Sequence, residues 1–249
     1  MSKYALLIGI NYRGTSSALR GCINDVYTMK KYLVDHRGYS EGNITILTDD
    51  TPKKPTGANI MHALSTLILK AHTSGAKELW LHYSGHGSYV VDRDGDEDDR
   101  RDETIVPIDY ARNGMITDDS LHDYLEHLPA SCEMVCIFDC CHSGTILDLK
   151  YQYKGDDCNG VENAASRVRG NVVMISGCMD TQTSADTTMY GKWAGAMTNS
   201  FVDSIDKLHY NTSCYDLLQQ MRKFLKSKGY PQYPQLCCST KLTDDTKFP

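Results

Sequence analysis

The chain has 249 residues, 41% hydrophobic and 23% charged, with a formal net charge of -6. That length suffices for one sizeable core, and the composition is that of an ordinary globular chain. The acidic balance gives no reason to expect nucleic acid or an anionic membrane as partner, and no apolar stretch is long enough to span a bilayer.

The first residues, Met1-Ser2-Lys3, run straight into the strand-like Tyr4–Ile10, so no signal peptide is expected. The ten cysteines, several inside apolar runs such as Val135-Cys136-Ile137-Phe138, then read as small buried hydrophobes in a reducing, cytoplasmic compartment. Asp25–Asp35 carries helical spacing, with Val26, Met29, Tyr32 and Leu33 on one face, and Gly38 stops it. Ile44–Leu47 is the second strand, and Thr56 caps a helix over Ala58–Ala71. Leu79–Tyr83 is the third strand, ending at Ser84-Gly85-His86-Gly87.

An acidic run, Asp92 to Glu103, precedes the short extended piece Thr104–Pro107. Thr117 caps a helix through His127, and Met134–Phe138 is the fourth strand, ending at Asp139-Cys140-Cys141-His142-Ser143-Gly144. Lys150–Arg169 is polar, lacks periodicity and reads as a loop. Val172–Ser176 is the fifth strand, Ala194–Leu208 and Ser213–Lys228 are helices, the second closed by Gly229, and Leu236–Cys238 is the last strand. Strands alternate with helices, which predicts an α/β fold with a mostly parallel sheet of six strands covered on both faces. One sheet running through both parts makes 1–249 a single domain, with a front part to about 150, a connecting loop over about 151–170 and a rear part from about 171.

In such sheets, sites form beyond the carboxyl ends of strands. His86 and Cys141 follow the third and fourth strands, each in a Gly/Ser turn. A thiol needs a nearby imidazole to become thiolate, so the pair is a candidate nucleophile and base, with the amides of Gly87 and Cys141 as oxyanion donors. Residue types and spacing alone leave a structural histidine and a buried cysteine equally open.

Tyr83-Ser84-Gly85-His86-Gly87 and Asp139-Cys140-Cys141-His142-Ser143-Gly144 resemble the histidine and cysteine motifs of metacaspases, relatives of the caspases. Gly21–Asp25, Ile105–Asp109 and Ser176–Asp180 match in order, so the resemblance covers nearly the whole chain. It implies the caspase-like three-layer α/β/α sandwich, with Cys141 rather than Cys140 as nucleophile and His86 as its partner. The chain is similar to type I metacaspases but shows no long Pro/Gln-rich or zinc-finger segment in front, so recruitment by such a segment is not expected.

The resemblance also implies a Ca2+ site built from Asp102, Asp118, Asp119 and Asp148, and an Arg/Lys-accepting pocket floored by Asp25 and Asp139 and walled by Cys22 and Ser84. Asp139 lies two residues before Cys141 and should share its face of the strand. By residue type alone, Asp118 and Asp119 read better as first-turn helix acids in solvent. The run Asp92–Glu97, with Glu103 as closing ligand, begins like an EF-hand loop but lacks the required glycine at its sixth position, and no Cys-x-x-Cys spacing suggests zinc.

The expected activity is a calcium-stimulated cysteine endopeptidase cleaving protein or peptide substrates after Arg or Lys. Self-processing is expected in the polar loop, with Lys154 as first candidate. Alternatives are a calcium-responsive interaction module without turnover, or cleavage after Asp. The chain is expected to be a monomer, because the resemblance is to metacaspases rather than to caspases that pair through an exposed last strand.

Overall fold

The computed structural model describes residues 2–91, 101–141, 144–153, 160–162, 166–177, 186–189 and 192–249. The EF-hand-like run from Asp92, the self-cleavage candidate Lys154, the His142-Ser143 pair and the Cys178-Met179-Asp180 end of one motif lie outside the described residues.

The strands are β1 (Lys3–Gly9), β2 (Ile44–Thr48), β3 (Glu78–Ser84), β4 (Gly87–Val91), β5 (Arg101–Ile105), β6 (Ile116–Thr117), β7 (Glu133–Asp139), β8 (Tyr151–Tyr153), β9 (Val161–Glu162), β10 (Asn171–Ser176), β11 (Asp186–Met189), β12 (Lys192–Gly195) and β13 (Gln235–Cys238). The helices are α1 (Cys22–Arg37), α2 (Gly57–Thr73), α3 (Tyr110–Asn113), α4 (Asp118–Leu125), α5 (Ala196–Lys207) and α6 (Cys214–Ser227).

The main sheet has eight strands in the order β2-β1-β3-β7-β10-β13-β8-β9. The six expected strands are its first six members, and β2, β1, β3, β7 and β10 run parallel. The expected count of six falls short because β8 and β9 come from the polar stretch that reads as a loop. β8 pairs antiparallel with β13, and β9 with β8. Strands of two and three residues are too short to show alternation in sequence; they form because β13 offers an unpaired edge.

The period of two divides each strand between two cores. Ala5 and Leu7 of β1, Trp80 of β3, and Val135 and Ile137 of β7 face α1, α5 and α6. Leu6, Ile8, Leu79, Leu81, Met134, Cys136 and Phe138 face α2 and α4. Helix starts follow the sequence signals: Thr56, Thr117 and Ser213 accept from the amides of Asn59, Ser120 and Asp216. Gly38 ends α1 at φ 70°, a left-handed position that glycine occupies without strain. A second sheet, β4-β5-β6, stands beyond the end of β3 and is built partly from the acidic stretch.

Candidate active site

β3 and β7 are direct parallel neighbours, with Ser84 opposite Asp139 at their carboxyl ends. His86 and Cys141 each lie two residues beyond that pair. The two turns touch: a methyl group at Gly87 would stand 1.8 Å from the Cys141 carbonyl oxygen, so only glycine lets them approach. Alternation separates the two neighbouring thiols. Cys140 is fully buried on the α2/α4 side, whereas Cys141 is partly exposed.

His86 is held from three sides. Its Nε2 is 2.7 Å from the carbonyl oxygen of Ser17. A carbonyl only accepts, so Nε2 carries the proton in this contact and Nδ1 is left to accept one. The backbone N–H of His86 donates to Tyr12 Oη at 3.0 Å, and its carbonyl accepts from Tyr83 Oη at 2.7 Å. The Tyr12 ring lies against the imidazole at 4.7 Å between centroids. Burial pushes both phenols above their usual range, so Tyr12 keeps the proton it donates to the Val106 carbonyl at 2.6 Å. Tyr12 has φ 48°, a conformation costly for a bulky residue, and Thr15 bonds back to its carbonyl. That turn brings Ser17 to the histidine. Neither Tyr12 nor the Ser17 carbonyl emerges from sequence reasoning. A backbone acceptor leaves no residue signature, and the one available signal was a tyrosine inside the turn-rich Asn11–Gly14.

Three of the four expected pocket residues, Asp25, Ser84 and Asp139, come together. Ser84 and Asp139 continue the rows of β3 and β7 that face α1 and α5. Asp25 of α1 is buried and accepts from Ser84 Oγ at 2.7 Å and from the Gly195 amide at 2.9 and 3.0 Å. Asp139 Oδ2 accepts from the Thr198 amide at 2.8 Å. A methyl group at Gly195 would lie 2.1 Å from Asp139 Oδ2 and 2.7 Å from Asp25 Oδ2, so both carboxylates crowd onto this glycine. They sit at the N-terminus of α5, where free amides and the helix dipole favour negative charge. Cys22, buried at the start of α1, is on the same helix as Asp25.

Three of the four expected metal ligands converge: oxygens of Asp118, Asp119 and Asp148 all lie within 4.8 Å of one another. Asp102, buried on β5, is not in that group. Asp118 is no solvated first-turn acid. It is 2% exposed and accepts from the amides of Glu103 at 2.6 Å and Asp119 at 3.0 Å. Asp148 has φ 45°, which aspartate tolerates better than most residues. An all-carboxylate oxygen set suits a hard cation such as calcium.

A family model described as the metacaspase peptidase C14 domain matches residues 3–150. The chain is 38% identical to metacaspase-1 of Debaryomyces hansenii over 99% of its length and 67% of that protein's. It is 36% identical to metacaspase-1 of Saccharomyces cerevisiae over 98% of its length and 68% of that protein's. The chain belongs to the metacaspase family of cysteine peptidases. It spans about two thirds of the length of these relatives. Among solved structures, caspase-1 of Spodoptera frugiperda superposes with TM-score 0.62 at 12% identity, covering 97% of this chain and 87% of that one. The Geobacter sulfurreducens protein GSU0716 superposes with TM-score 0.67 at 23% identity, covering 98% and 95%. Both share the fold, so this metacaspase chain has the caspase-like α/β architecture expected from its sequence.

Proposed function

We propose that this metacaspase is a calcium-stimulated endopeptidase that cleaves after Arg or Lys, with Cys141 as nucleophile and His86 as base and acid. The observation that carries this is the meeting of His86, Cys141 and a floor of two carboxylates at the ends of two paired strands. The Nδ1 of His86, free to accept because Nε2 is bonded to Ser17, takes the thiol proton. The Cys141 thiolate attacks the carbonyl of the scissile bond, and the amides of Gly87 and Cys141 receive the oxyanion. His86 then returns the proton to the leaving amine, and water hydrolyses the acyl-enzyme.

A guanidinium or ammonium entering beside Asp25 and Asp139 meets opposite charge, whereas a substrate aspartate meets like charge. That favours Arg or Lys over Asp. Asp118, Asp119 and Asp148, with Asp102 on the neighbouring strand, would hold calcium. The bound ion supplies positive charge that relieves repulsion among the carboxylates. Self-processing is proposed within the polar connection after Lys150, with Lys154 as first candidate. A monomer is proposed because β8 of the same chain covers β13, leaving the two-residue β9 at the rim. None of the described cysteines is in a disulfide, which fits a reducing, cytoplasmic setting.

The test is a panel of fluorogenic peptides ending in Arg, Lys or Asp, run in calcium and in chelator with wild type, Cys141→Ala, His86→Ala and Cys140→Ala. The expected outcome is Arg and Lys turnover that needs calcium, lost in the first two variants and largely retained in the third. Turnover by purified Cys141→Ala would sink the assignment, and equal rates in chelator would remove calcium from it. Absence of turnover under every condition would favour the interaction module.

A further inference from the structure

We infer that Glu103 is a positioning residue that fixes the segment following the nucleophile and links it to the Asp118–Asp119–Asp148 cluster. This rests on the proposed calcium-stimulated peptidase. Glu103 lies on β5 and is 7% exposed. A carboxylate so buried must find donors. Its Oε2 accepts from the Thr145 amide at 2.9 Å. The Thr145 carbonyl in turn accepts from the Asp148 amide at 2.7 Å. Thr145, four residues beyond Cys141, is therefore gripped at its amide by Glu103 and at its carbonyl by Asp148.

Both grips lead to the same three carboxylates. Asp148 belongs to the cluster, and Asp118 holds Glu103 through its backbone amide at 2.6 Å. The turn has few other freedoms. Asp148 is in the left-handed region, Leu147 O is 2.9 Å from His122 Nδ1, and Gly144 O accepts from Cys237 Sγ at 3.3 Å. Without a cation, Asp118 and Asp148 repel, and each drags on one side of Thr145. With the cluster neutralised, both grips close on one geometry. Glu103 is the link that is not itself in the ligand group, so it can be altered with the cluster left in place.

The experiment uses the full chain with Glu103→Ala, Glu103→Gln and Glu103→Asp. Three quantities are read with calcium and with chelator: the melting temperature, the rate at which iodoacetamide alkylates Cys141 (followed by mass spectrometry of its peptide), and kcat and KM on an arginyl peptide. The expected result is that calcium raises the melting temperature of every variant as it does wild type. Its acceleration of Cys141 alkylation and its gain in kcat should fall at least about tenfold in Ala, the scale of one charge-assisted hydrogen bond, with KM unchanged. Gln keeps an acceptor at the same reach and should restore most of both effects. If Ala fails to fold, Asp carries the test: it keeps the charge but falls short of Thr145 and should behave as Ala would. Wild-type acceleration in Ala or Asp, or a Gln variant no better than Ala at equal melting temperature, overturns the inference while leaving the peptidase proposal standing. A wild-type chain whose Cys141 ignores calcium overturns the calcium proposal, and this link with it.

Discussion

Replacing Tyr12 by Phe removes one oxygen and leaves the ring. The tilted ring contact with His86 at 4.7 Å survives, and no cavity larger than a hydroxyl is made. The backbone N–H of His86 loses the acceptor it has at 3.0 Å. The Val106 carbonyl loses its donor at 2.6 Å, because the one proton of Tyr83 Oη goes to the His86 carbonyl at 2.7 Å. Two buried groups thus lose a partner, and the one that bears on the histidine, its own N–H, costs about 1–3 kcal/mol. If that cost falls on the placement of His86, kcat drops about 10- to 100-fold, since about 1.4 kcal/mol is a factor of ten. The proposed substrate pocket at Asp25 and Asp139 is untouched, so KM should hold. Urea denaturation and steady-state kinetics on an arginyl peptide measure the two effects. A variant with the full stability loss but wild-type kcat would refute the argument, because Tyr12 would then be supporting the core and not the histidine.

Asp25→Asn and Asp139→Asn should each abolish preference for Arg and Lys and also lower stability by about 0.3–2 kcal/mol, because each carboxylate faces the amides and dipole that open α5. Peptide assays and thermal melts check both, and unchanged arginyl turnover in both variants would place the pocket elsewhere. His82 is fully buried, and burial lowers its pKa from 6.5 to about 3. Above pH 6.5 it is neutral in both states; below, the unfolded chain takes up a proton that the folded one refuses, so stability falls by about 1.4 kcal/mol per pH unit down to about pH 3. His82→Gln does not titrate and should flatten that slope in urea midpoints taken between about pH 7 and about pH 4. Identical slopes in the two proteins would mean that His82 takes no part.

Much of this was legible because it depends on local rules. A threonine or serine before an apolar period caps a helix, and Thr56, Thr117 and Ser213 all do so. An apolar run of three to seven residues makes a strand, and all six expected strands stand side by side. Asp25 and Asp139 were placed by motif, and their meeting at Gly195 shows that distant segments converge as the motif implies. The remainder depends on partners that sequence does not display. β8 and β9 exist because β13 has an edge to fill. The Ser17 carbonyl reaches His86 because Tyr12 bends the chain into a left-handed turn. The hold of Asp25 and Asp139 on the first amides of α5 was equally hidden, since a motif gives no sign that its carboxylates also anchor a helix.

The crowding of two carboxylates on Gly195 also orders events in time. A ribosome releases His86 and Cys141 well before it reaches Gly195 and Thr198, whose amides hold Asp25 and Asp139. At ~5–20 residues per second the interval between Cys141 and Thr198 is about 3 to 11 s. During it, neither acid has the amide that holds it in the complete chain. A half-made chain therefore carries its thiol and imidazole but lacks the donors that hold the two acids of the proposed pocket. On the proposed function, the order of residues along the polypeptide delays selective cleavage until the rear half has docked.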